Sequence, residues 1–67
     1  MKKTYMQLRN FIFECYYGTV KAHEYFYKED KNSDITKTME VKENVLYNLI
    51  TDTHNWYEFD KWIKKNK

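Results

Sequence analysis

A chain of 67 residues has room for one domain, 1–67, and nothing more, and at that size only about 60% of the unfolded surface is buried, so stability is marginal. Its single cysteine, Cys15, excludes an internal disulfide, the usual staple of a secreted domain this small. The formal charge of +2 is small but unevenly laid out: basic ends flank residues 22–60, where nine acids face four lysines, and this argues against a simple basic nucleic-acid module.

Met1-Lys2-Lys3 imitates the head of a signal peptide, but Arg9 and Glu14 interrupt the apolar run of roughly 7–15 residues that should follow. No stretch approaches the roughly 20 apolar residues of a membrane span. The expectation is a cytoplasmic protein without a membrane partner. Eleven lysines to one arginine, with frequent Asn and Tyr, suit an AT-rich bacterial or phage genome.

In chain order, the first element runs from Thr4 to about Tyr27. Thr4 and Gln7 have capping-box spacing. At about 100° per residue Tyr5, Leu8, Phe11, Ile12, Cys15, Tyr16, Ala22, His23 and Phe26 share one wide face. Glu14, Lys21, Asn10 and Lys28 lie opposite. The rival reading is a hairpin over 11–27, because aromatic residues favour strands and Gly18-Thr19 suits a two-residue turn. Ile35, Lys37, Met39 and Val41 alternate and would add a third strand. Helix ranks first because it accounts for the polar face.

Lys28–Asp34 is a polar run suited to a loop. Asp34 to Thr51 then reads as a second helix. Ile35, Met39, Val41, Val45, Leu46, Leu49 and Ile50 fill half its wheel, while Thr36, Lys37, Glu40, Glu43, Asn44 and Asn48 fill the rest. Lys42 falls inside the apolar arc and is expected to carry its charge along the stem to the edge. After a weaker break at Thr51–Asn55, Asn55 and Glu58 again have capping-box spacing. Trp56, Phe59, Trp62 and Ile63 form an apolar stripe, with Lys61, Lys64, Lys65 and Tyr57 elsewhere on the wheel. A helix this short does not persist alone, so it must dock, with its tryptophans as anchors. The expected fold is all-α, a compact three-helix bundle; the alternative is α+β, the 11–27 hairpin packed on two helices. Trp56, Phe59, Trp62, Phe11 and Phe26 are the expected core.

Candidate chemistry is sparse. His23-Glu24 begins a zinc-protease-like motif, but Tyr27 stands where the second histidine belongs, and His54 is far away in sequence. Cys15 and His23 lie eight residues apart, about 12 Å along a helix, too far for a nucleophile and its base. Glu29 with Asp30, and Glu58 with Asp60, do not form acid–base pairs. The expectation is a protein that is not an enzyme and has no metal or cofactor.

Two binding readings remain. Tyr17, Tyr25, Tyr47 and Tyr57 fall on or near polar faces, where a tyrosine ring offers contact area at low entropic cost. They point to a protein–protein interaction module, a small regulator or inhibitor of one cellular protein, of phage or mobile-element origin. Self-association through the wide apolar face of the first helix, giving a homodimer, would add stability. The alternative is a nucleic-acid-binding module in which Lys61, Lys64 and Lys65 track phosphates and Tyr57 stacks on a base. Lys67, Lys2, Lys3 and Arg9 join that patch if the chain ends meet.

Overall fold

The Thr4–Gln7 signal is realised in the structure, a computed structural model that describes residues 4–67. The Gln7 backbone N–H donates to Thr4 Oγ1 at 3.2 Å, and the Thr4 N–H donates to Gln7 Oε1 at 2.9 Å. These two reciprocal bonds satisfy amides that a helix start leaves open. From them α1 runs over Tyr5–Glu29, straight through Gly18, whose φ is negative. The hairpin alternative is therefore corrected: Gly18 is an ordinary helical residue, and the 3.6-residue pattern outweighs aromatic strand preference.

The α1 helix ends as the Asp30 N–H donates to the Phe26 carbonyl at 2.9 Å. Asp30 then organises the turn, accepting from Asn32 N–H at its carboxylate (3.0 Å) and from Ser33 N–H at its carbonyl (3.2 Å). Ser33 caps α2, Asp34–Asp52, by accepting the Thr36 N–H at 3.2 Å. Ile35–Val41, the proposed third strand, lies inside this helix.

Thr36 also corrects the expected polar face. It is 1% exposed, and its hydroxyl lies 2.9 Å from the Phe26 carbonyl and 2.7 Å from that of Asp30. A polar side chain tolerates burial when its hydrogen bonds are made, and this one ties the start of α2 to the end of α1. Thr19, also buried, returns its hydroxyl to the Cys15 carbonyl at 2.7 Å. Its small side chain lets the antiparallel pair approach closely, and α2 is the main partner of α1.

At the far end of α2 the chain turns through His54, which sits at φ 58°. The His54 N–H donates to the Thr51 carbonyl (3.1 Å) and the Asn55 N–H to that of Ile50 (3.0 Å). This is a Schellman ending with histidine in the left-handed position that glycine usually takes. It launches α3, Trp56–Asn66, from Asn55. The capping box expected there does not form. The Asn55 amide donates instead to Thr53 Oγ1 (2.8 Å) and to the Tyr5 hydroxyl (3.3 Å), while Glu58 turns toward Arg9 and Lys61.

Three helices result, with no strand among the described residues. The bundle is narrow across two axes, 24 and 23 Å, and 38 Å along the third, which follows from the length of α1. Its core is aromatic. Phe13 is fully buried, edge-on to Phe59 at 5.2 Å and against Trp62 at 5.9 Å. Tyr16 bridges to Phe59 at 5.4 Å and to Trp56 at 5.6 Å, and Ile50 closes the cluster from α2. Trp56 is fixed further by its indole N–H, which donates to Thr51 Oγ1 at 2.8 Å. Trp56, Phe59 and Trp62 thus enter the core as expected, but Phe11 and Phe26 do not: Phe11 is 56% exposed, Phe26 is half-buried outside the cluster, and Phe13 takes the central place.

Candidate protein-interaction face

Where α3 docks decides what the other side of the molecule presents. On α1, α3 meets Phe13, Tyr16 and Tyr17. At about 100° per residue Leu8, Phe11, Cys15, Ala22 and Phe26 lie roughly 140–220° round from Phe13, on the opposite side. On α2, Tyr47 and Thr51 turn toward Trp56, whereas Ile35, Lys42, Val45 and Leu49 turn the other way from Ile50. The α1–α2 pair therefore has two sides, and α3 covers one.

The uncovered side is apolar. Leu8, Phe11, Ile35, Val45 and Leu49 are all exposed, Val45 to 61%; Val41, also exposed, lies about 180° round from Ile50, on the outer side of α2. From Leu8 to Phe26 the stripe runs about 27 Å along α1, and two packed helices make it roughly 18–20 Å wide. The face is thus on the order of 500 Å², near the upper end of the largest apolar patch on a typical monomer. At one end Tyr5, Leu8, Ile12 and Leu49 line a groove of about 230 Å³ between the helices. Lys42, the single charge near the middle, is exposed as its long stem allows. Tyr25 stands at the rim, its ring edge-on to Phe26 at 5.2 Å. Covering a surface of this kind with a complementary apolar one would be favourable, because water is excluded from both.

The other tyrosines lie elsewhere. Tyr17 packs against Trp62 at 6.5 Å, with the Lys21 and Lys67 ammonium groups over its ring at 5.5 and 5.2 Å. Tyr47 lies 5.0 Å from Trp56. Tyr57 is on the outside of α3 beneath Lys61, at 4.7 Å. The four tyrosines singled out from the sequence thus occupy four separate environments, and two of them help seat α3. Burial raises the Tyr16 phenol above its ordinary value, with Glu43 and Tyr47 adding to the effect.

The lysine patch is extensively compensated. Lys64 pairs with Asp60 at 3.0 Å, Lys61 lies 3.9 Å from Glu58, and Lys67 reaches Glu14 at 3.1 Å. Arg9 does approach α3, 3.7 Å from Glu58, and lines a cleft with Lys61 and Lys65. Its guanidinium lies over Phe13 at 5.5 Å, and its buried Nε has no hydrogen-bond partner. Lys2 and Lys3 lie outside the described residues. His23 is engaged by Glu43 at 3.2 Å, a contact that bridges α1 and α2. Among the described residues no three His, Cys, Asp or Glu side chains gather where they could hold a metal ion, and no helix is long and apolar enough to cross a membrane.

No protein-family model, curated protein or solved structure matches this chain. The α1 half of this face was legible as the wide apolar arc expected to self-associate, whereas the α2 half was hidden because its residues read as core. One signal pointed to it: an apolar arc along some 37 Å of α1 is too long to be covered by a third helix of about 16 Å.

Proposed function

We propose that the protein is a non-enzymatic protein–protein interaction module of the cytoplasm, a small regulator or inhibitor of one cellular protein. The observation that carries this reading is the uncovered apolar side of the α1–α2 pair, with Leu8, Phe11, Val45 and Leu49 exposed along it. Isolated apolar residues on a surface need no explanation, whereas the largest continuous apolar patch of a monomer, at this size, is often its functional surface. Lys61, Lys64 and Lys67 each have a carboxylate within 4 Å, which lowers the positive field they and Lys65 offer to phosphates, and this favours a protein partner over nucleic acid. Tyr57, on the outside of α3, and Tyr25, at the rim of the face, remain available as anchors for a partner.

The test uses a photo-crosslinking residue at Val45, and separately at Tyr57, in the chain expressed in its source cell. Covalent protein adducts from Val45 are expected. Should Val45 give none, while the purified chain binds duplex DNA at low salt and loses it on combined Lys61→Glu, Lys64→Glu and Lys65→Glu substitution, the nucleic-acid reading replaces this one.

A further inference from the structure

We infer that the occupant of the α1–α2 face is a second copy of this chain, the two copies being related by a twofold axis. The inference rests on the reading of that face as an interaction surface, and it names the partner. Its ground is an area deficit. A folded monomer of 8.4 kDa is expected to expose about 4600 Å², whereas this chain exposes 5418 Å². The difference, about 800 Å², matches in magnitude the share that each partner contributes to an interface of standard size, and about 500 Å² of apolar surface lies on this one face.

Shape agrees with area. The radius of gyration is 13.2 Å, against about 11 Å for 67 residues packed as an ordinary domain. Among the described residues only three hydrophobic side chains, Phe13, Ile50 and Phe59, are buried. Neither a disulfide nor a metal cluster among the described residues makes up for so small a core.

The face also suits its own copy. An isologous contact sets one patch against itself, so a charge near the twofold axis meets its own copy. Here the middle of the patch carries one charge, Lys42, on a stem long enough to take the ammonium group to the rim. Two α1–α2 pairs laid face to face make a four-helix layer, the common way for helices with one remaining apolar side to bury it. Each α3 stays on the outside, leaving Tyr57 of both copies clear of the contact and able to meet a further protein.

The full chain should sediment at twice its 8.4 kDa mass, and its Tm should rise with protein concentration, because mass action stabilises a folded dimer. Val45→Glu should return the mass to that of one chain and remove the concentration dependence, while Tyr57→Ser, on the outside of α3, should change neither. If Val45→Glu fails to fold, a crosslinker at Val45 in the purified protein gives the same information through an adduct of two chains. A wild-type chain that stays at single mass up to about 100 µM, where even a weak dimer is populated, overturns the inference. In that event foreign protein adducts from Val45 in cells leave the interaction reading standing, and the absence of any adduct removes both.

Discussion

His54 holds a backbone conformation that suits it poorly. At φ 58° it occupies the left-handed position closing α2, where an L-residue with a Cβ is strained by roughly 1–2 kcal/mol and glycine is not. Glycine loses part of that advantage through its more flexible unfolded chain. His54→Gly should therefore raise stability by roughly 0.5–1 kcal/mol, read as a higher Tm and an unchanged helix content. A drop in Tm would mean that the imidazole itself makes a contact worth more than the strain. Thr36 shows the limits of residue type as a guide. Threonine belongs on the polar half of a wheel unless its hydroxyl has a partner, and the partners here are carbonyls of the preceding helix. Nothing local to α2 announces them. The Schellman turn is equally silent in sequence, because no glycine marks it.

Among the elements, α1 carries the clearest sequence signals and one visible weakness. Its capping box and its 3.6-residue pattern were legible, and both are realised. Gly18 lies inside it, exposed, with helical backbone, and a Cβ added there would meet nothing within 4 Å. Gly18→Ala should stabilise the protein by about 0.5–1 kcal/mol, or roughly 4–8 °C in Tm for each kcal/mol at this chain length. The same substitution separates the two readings of residues 11–27, since alanine in a two-residue hairpin turn that requires positive φ would destabilise instead. The α3 helix is the opposite case. Its capping box was expected from Asn55 and Glu58, but both side chains are drawn into tertiary contacts, with Tyr5 and Arg9 respectively. Its place is secured by docking, through aromatic edges against Phe13 and Tyr16.

For the molecule as a whole, stability concentrates in few places. A domain of this length has about 3–10 kcal/mol to spare at ordinary values per residue. Phe13 is its most buried side chain and touches two rings of α3. Phe13→Ala should cost roughly 3–5 kcal/mol, a large part of that stability, read as a Tm lowered by more than about 10 °C in circular dichroism at roughly 4–8 °C per kcal/mol. Phe11→Ala, on the uncovered face, should cost an isolated monomer far less. If the two substitutions proved equally damaging at low protein concentration, Phe11 would be a core residue after all. In the dimer proposed above, the cost of Phe11→Ala should instead grow with protein concentration, because its ring is then buried between copies.

Periodicity, caps and breaks were sufficient to place three helices and the turns between them, because those depend on neighbours three and four residues away. The same local information showed that α1 and α2 each carry an apolar arc, and that no disulfide supports them. It could not say which part of a wide arc would be inside. Phe11 and Phe13 are both phenylalanines two positions apart, and the sequence offers no reason to prefer the second. The choice is made by α3, a helix too short to cover both sides of the α1–α2 pair. It docks on the Phe13 side, and so turns Leu8, Phe11, Val45 and Leu49 from an apparent core into the exposed face on which the proposed function rests.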